Sequence, residues 1–203
     1  MNELKVELTQ ITPLIHFQVH QDGATDATLR ASEVKPKLDK FLQTYSCSKG
    51  EIQECWCLPK VKDKKYRALD YKMQIMGKGE AGKPHKSFFA NMGKDSKKIK
   101  QVGYEDGVDI KIISKHEELL SLIQKHLALF FVIHNFGARG SKGFGSFVVD
   151  KINGEVQNVS VQEISDSGFF SYMFSMKVPT NTILDEIYNI ADELKTKSNK
   201  REI

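Results

Sequence analysis

The stretch SKHEELLSLIQKHLALFFVIHNFGARGSKGFGSFVVD, residues 114–150, decides how the rest of the chain is read. Its first half sets Leu119, Leu120, Ile123, Leu127, Phe130 and Phe131 at helical spacing, a wide apolar stripe that predicts a largely buried helix. Residues 114–117, SKHE, have the form of a capping box, and Asn135 and Gly137 are natural stop residues. The second half crowds Gly137, Gly140, Gly143 and Gly145 into nine positions before SFVVDKING, 146–154, resumes as a strand with a turn. Glycine loses more backbone entropy on folding than any other residue, so this density needs a reason. Successive backbone N–H groups among small residues form anion-binding nests, and Arg139, Ser141, Lys142 and Ser146 add the donors and charge that phosphates attract. Phe144 has two uses, a ring for stacking on a base or an anchor into the core, and its glycine flanks favour the anchor.

Two standard phosphate loops are excluded by order and spacing. A Walker loop needs a glycine followed by Lys and then Ser or Thr, which GARGSKGFG lacks. A dinucleotide loop needs G-x-G-x-x-G between a strand and its helix, whereas this loop follows a helix and precedes a strand.

Outward from the loop, strands and helices alternate. KVELTQITPLIHF, 5–17, carries β-formers with Val6, Leu8 and then Ile11, and predicts a first strand broken near Pro13. ASEVKPKLDKFLQTY, 31–45, predicts a helix with Ser32 as N-cap, Pro36 in the first turn, and Val34, Leu38, Phe41 and Leu42 on one face. YRALDYKMQIMG, 66–77, alternates with Leu69, Tyr71, Met73 and Ile75 on one side, and DIKIIS, 109–114, is a further strand. FFSYMFSMKVP, 169–179, reads as another apolar strand, and a capped helix with Ile183, Leu184, Ile187, Ile190, Ala191 and Leu194 closes the chain. The sum is an α+β fold: a ferredoxin-like, RRM-type antiparallel sheet with helices on one face. We expect one domain over 1–203 with a lysine-rich insertion at about 46–107.

Composition bounds the partners. The chain is an ordinary globular sequence, 40% hydrophobic and 28% charged, with no apolar run long enough for a membrane span and no signal or transit peptide in MNELKVELTQ, so a cytoplasmic protein is the default. Between Lys60 and Lys100 there are thirteen Lys or Arg against four Asp or Glu, while the rest of the chain has seventeen against twenty-two. Such a block attracts polyanions, or is a solvated lysine-rich insertion. Cys47, Cys55 and Cys57, with or without His85, fit no common zinc spacing and read as partly buried thiols around Trp56. No cofactor or metal is expected.

The order helix, G-A-R-x-x-x-G-F-G-S, strand resembles the glycine-rich signature of the CRISPR-associated RAMP superfamily, and is most similar to the type III-B effector subunit carrying that loop. The opening KVELTQITPL resembles the first strand of that superfamily, with its threonine-proline-leucine step, and LRASEVKPKLDKFL stands where a small–polar–basic motif opens the first helix. Lys35-Pro36 departs from the usual Lys-Gly there, and the chain holds one RRM-like half where the type III-B subunit has two. The resemblance implies an RNA-binding subunit of a type III-like CRISPR effector ribonucleoprotein in antiviral defence, with CRISPR RNA, target RNA and other effector subunits as partners and no membrane. On it, Gly137, Arg139, Gly140, Ser141, Lys142, Gly143, Phe144 and Gly145 would hold the RNA backbone, joined by Arg30, Ser32 and Lys35 from the first helix, with bases free to meet aromatic side chains on the sheet.

Catalysis is not required by this reading. Some RAMP proteins cut the CRISPR repeat without metal, which needs a base for the ribose 2′-OH and an acid for the leaving oxygen. Six histidines are available, His16, His20, His85, His116, His126 and His134, and no spacing singles one out. Asp22 and Asp26 are the acids placed for metal-assisted cleavage, and in a Gly/Ala/Thr loop such a pair is more often just turn formers. A repeat endoribonuclease and a protein–protein adaptor that binds no RNA stay as the rival readings.

Overall fold

In the computed structural model, which describes residues 2–15, 28–45, 51–59, 65–78, 101–102, 107–170, 177 and 182–199, the chain runs β1 (Asn2–Gln10), β2 (Leu14–Ile15), α1 (Ala31–Tyr45), β3 (Lys72–Gly77), β4 (Gln101–Val102), β5 (Val108–Ser114), α2 (Glu117–Ile133), β6 (Phe147–Ile152), β7 (Glu155–Val156), α3 (Val161–Asp166) and α4 (Ile183–Asn199). It is an α+β structure built on a five-stranded sheet of order β3–β5–β1–β6–β7, in which every neighbouring pair is antiparallel. β2 pairs separately with β4.

The period of two in each strand decides which face is buried. Leu4, Val6 and Leu8 of β1 and Val108, Ile110 and Ile112 of β5 point into the core, where Met73 and Ile75 of β3 also pack. In β6 the inward residues are Phe147, Val149 and Ile152, a spacing of two and then three. A register shift against Glu7 and Leu8 explains it: Leu8 faces Val149 but Glu7 faces Lys151, so Asp150 is the extra residue of a bulge. Helices α1 and α2 cover this face with Val34, Leu38, Phe41 and Leu42 from the first, and Leu119, Leu120, Ile123, Leu127, Phe130 and Phe131 from the second. Each such side chain is worth roughly 1.5–3 kcal/mol when fully buried.

The other face of the sheet is polar. Lys111 pairs with Glu3 at 2.5 Å, and Lys78 with Asp109 at 2.8 Å and Glu7 at 3.5 Å. The hairpin between β6 and β7 turns on Asn153 and Gly154, both at positive φ, which suits a tight Asn-Gly turn.

Several sequence expectations are corrected locally. The helix at 31–45 starts earlier than a Ser32 cap would allow: Glu33 and Val34 donate to the Arg30 carbonyl, so Arg30 sits at the cap and Ser32 in the first turn. Pro36 consequently falls in the second turn, where it deprives the Ser32 carbonyl of its helical donor. The capping box at 114–117 does not form. Ser114 is buried at the end of β5, its hydroxyl donates to the Asp70 carbonyl and accepts from the His116 N–H, and His116 is the N-cap of α2. The helix ends at Ile133, with His134 rather than Asn135 at its C-cap. α3, with a true capping box between Ser160 and Glu163, was not expected. Of the apolar strand expected at 169–179, Phe169, Phe170 and Lys177 are described and are not in a strand, and the rest, with most of the lysine-rich segment, lies outside the described residues.

Candidate nucleic-acid interface

The glycine loop is built against the break between β1 and β2. Thr12, buried, donates its hydroxyl hydrogen to the Gly143 carbonyl at 2.5 Å and accepts the Ser146 N–H at 2.9 Å. The Pro13 carbonyl accepts from the Gly145 N–H at 2.9 Å, and the Ile15 carbonyl from Ala138 at 2.7 Å. The two motifs that carried the family resemblance, Thr12-Pro13-Leu14 and the glycines, therefore meet in space although about 130 residues separate them in the chain.

Two glycines are required by this closeness. At Gly145, φ +72°, a Cβ would lie 1.8 Å from the Phe136 carbonyl oxygen. At Gly137, φ +73°, it would lie 2.6 Å from the Ile15 carbonyl oxygen and 2.7 Å from Leu14 Cδ1. The loop between them makes a 3-10 turn over Gly140–Lys142, and Asn135 Nδ2 donates to the Gly140 carbonyl at 2.7 Å. Phe136 is fully buried and Phe144 is 9% exposed, so both rings anchor the loop in the core. Ser141 and Lys142 of the loop are exposed, and Arg139 is half-buried. The N–H groups of Gly140 and Ser141 have no acceptor among the described residues. Arg139 holds φ 60°, ψ 28°, a left-handed conformation that glycine would take without strain.

The start of α1 lies beside this loop. Glu33 Oε1 accepts the Gly137 N–H at 2.7 Å and the Lys37 ammonium at 3.0 Å, and Lys37 also donates to the Asn135 carbonyl at 3.1 Å. Glu33 thus holds the start of α1, where Arg30 is the cap and Ser32 lies in the first turn, against the first glycine of the loop. Lys35 is turned elsewhere. Its ammonium donates to Asp39 Oδ2 and to the Leu69 carbonyl, each at 2.9 Å, and lies 4.0 Å from the centre of the Tyr71 ring. Burial pushes the Asp39 carboxyl up against the opposing pull of Lys35, and pushes the Tyr71 hydroxyl well up. Lys35 therefore ties α1 to the segment before β3. Glu33, Lys37 and Thr12 were not foreseen as site residues. The Glu-x-x-x-Lys spacing and the threonine-proline step were visible, but not what they would touch.

The remaining chemical candidates are mostly structural or undescribed. His134 sits against the Phe130 ring with centroids 4.7 Å apart, its Nδ1 is 3.0 Å from the Phe130 carbonyl, and burial lowers its pKa. His126 is buried edge-on to Tyr45 near Glu51. His116 caps α2. His16, His20, His85, Asp22, Asp26 and Cys47 lie outside the described residues. Cys55 and Cys57 are free, and no group of metal-ligating side chains occurs among the described residues. None of the outward residues of the described strands is aromatic, so the sheet surface offers bases no stacking ring there. No described helix is long and apolar enough to cross a membrane.

The model of the Cmr1 N-terminal domain family matches residues 1–197. The chain belongs to that family. This bears out the resemblance drawn from the glycine loop to the RAMP superfamily and its type III-B subunit. The fold is similar to the crystal structure of Cmr1 from Pyrococcus furiosus, with 14% identity and a TM-score of 0.52 over 82% of this chain and 52% of that one. The chain thus spans about half of that relative's length. More distant likenesses are to a chain of the type III-B Cmr-beta complex bound to cognate target RNA (17% identity, TM-score 0.43, 74% of this chain and 59% of that one) and to a chain of a type IV-B CRISPR complex (9% identity, TM-score 0.44, 79% and 94%). No curated protein sequence matches the chain.

Proposed function

We propose that this chain is an RNA-binding, non-catalytic part of a type III CRISPR effector ribonucleoprotein that serves in antiviral defence. It would hold the sugar-phosphate backbone of the CRISPR RNA or its target where the glycine loop meets the start of α1. The observation that carries this reading is Arg139. A basic side chain is kept at a left-handed position between glycines, where glycine would be easier, on a loop already rigidly braced. Strain retained beside rigid structure is a mark of function. Arg30, Ser32, Ser141 and Lys142 complete the contact, with the N–H groups of Gly140 and Ser141 as further donors. Phe144 and the other glycines set the loop's shape. Backbone contacts position RNA without reading its sequence.

The sheet order β3–β5–β1–β6, with α1 after its first strand and α2 before its last, supports the split βαβ, ferredoxin-like assignment, with β7 as an added edge. On this view residues 1–203 are one domain, and the lysine-rich segment at about 46–107 extends the electropositive path. Other effector subunits would complete the complex, in the cytoplasm. One feature supports a docking role beside RNA binding: Ile187 and Tyr188 of α4, and Phe169 and Phe170 after α3, are exposed.

The test is a titration of labelled CRISPR-repeat RNA in EDTA, with the RNA checked on a gel. Binding by the wild type, loss in an Arg139→Ala/Lys142→Ala variant, and intact RNA are expected. Cut RNA would favour the endoribonuclease, and no binding at low salt would favour the adaptor.

A further inference from the structure

A carboxylate stands in the middle of a surface assigned to a polyanion. Glu33 projects from the first turn of α1, yet its Oε1 is spent on the Gly137 N–H at 2.7 Å and on Lys37 at 3.0 Å, and its Oε2 is shut off from solvent. Lys37 in turn reaches the Asn135 carbonyl at 3.1 Å and lies 4.8 Å from the centre of the Phe136 ring, while Asn135 holds the Gly140 carbonyl. This chain of contacts runs from α1 through both ends of the first half of the loop. Gly137 itself has no room for a side chain and sits at positive φ, and its N–H donates to Glu33.

We infer that Glu33 is a positioning residue, a latch that fixes the glycine loop against α1 so that Arg30, Arg139 and Lys142 face one RNA backbone. The inference rests on the RNA-binding reading and makes a prediction opposite to that of simple charge. Removing an anion beside a phosphate path should tighten binding if charge alone matters. If Glu33 is the latch, Glu33→Ala weakens binding despite the gain in positive charge, by on the order of tenfold for one lost charge-assisted hydrogen bond. Glu33→Gln keeps an acceptor for the Gly137 N–H and recovers most of that loss.

The experiment measures both variants and wild type with single-stranded CRISPR-repeat RNA. Amide exchange of Gly137, Ala138 and Gly145 is followed in the absence of RNA, with Val6 and Ile110 of the sheet as references. The latch predicts faster exchange at Gly137 in Glu33→Ala, near wild-type exchange in Glu33→Gln, and unchanged sheet amides. Equal tightening of RNA binding in both variants, or unchanged exchange at Gly137 in Glu33→Ala, overturns the latch. A wild type that binds no RNA overturns the reading beneath it, while the exchange result is read independently.

Discussion

On the proposed reading, Arg139 is the residue at which stability and function pull apart. An L-residue in the left-handed region is strained by roughly 1 kcal/mol relative to glycine. Arg139→Gly should therefore melt no lower than wild type, and up to a few degrees higher, while losing RNA affinity; a lowered melting temperature would show that the side chain has a packing role instead. Gly145 is the opposite case. A methyl group there would overlap the Phe136 carbonyl oxygen at 1.8 Å, so Gly145→Ala should destabilise the fold by about 3 kcal/mol or more, read from denaturant unfolding. Gly145 is legible in the sequence from the crowding of glycines, and Arg139 from the charge it adds among them. The setting of Lys35 is not. Its type and its place near the helix start put it with the RNA-binding residues, whereas the Leu69 carbonyl and the buried Asp39 carboxylate turn its ammonium inward.

At the scale of elements, the strap between the first strand and the loop has a definite strength. Thr12→Val keeps the shape but leaves the Ser146 N–H and the Gly143 carbonyl unpaired, which should cost about 2 kcal/mol and lower RNA affinity with it. The end of α2 gives a pH dependence. Burial lowers the His134 pKa below its ordinary 6.5, so the unfolded chain binds more protons than the folded one between the two values. Its contribution to stability is present above pH 6.5 and is lost as pH falls toward the folded value. Unfolding midpoints should thus rise with pH up to about 6.5, and a His134→Gln variant should flatten that slope; an unchanged slope would assign it to another group. Helices α1 and α2 and the strands read at 109–114 and 146–154 were legible because apolar residues recur at regular spacing in each. Helix boundaries were less so. The start of α1 and the partners of Ser114 depend on carbonyls supplied by Arg30 and Asp70, and side-chain preference alone does not contain them.

At the scale of the molecule, charges are paired locally. The open face of the sheet pairs Glu3 with Lys111 and Asp109 with Lys78, and at the loop–helix junction Glu33 pairs with Lys37. Exposed ion pairs add little stability, so the sheet face is better described as self-neutralised than as reinforced. The sequence suggested aromatic rings on the sheet for bases to stack upon. Among the described residues, Phe41, Phe130, Phe131, Phe136 and Phe147 instead lie in the core, where they contact one another in series. The glycine loop and its family were readable from thirteen residues, but the meeting of that loop with Thr12-Pro13-Leu14 and Glu33 is a long-range fact that no local pattern carries. The most direct test of the central claim is the salt dependence of RNA binding by wild type and by Arg139→Ala/Lys142→Ala. If both side chains neutralise phosphates, the slope of log K against log salt should become shallower by about 1.4 in the variant, two contacts at roughly 0.7 each for a single strand. An unchanged slope would mean that the loop does not touch the RNA backbone, and would contradict the account.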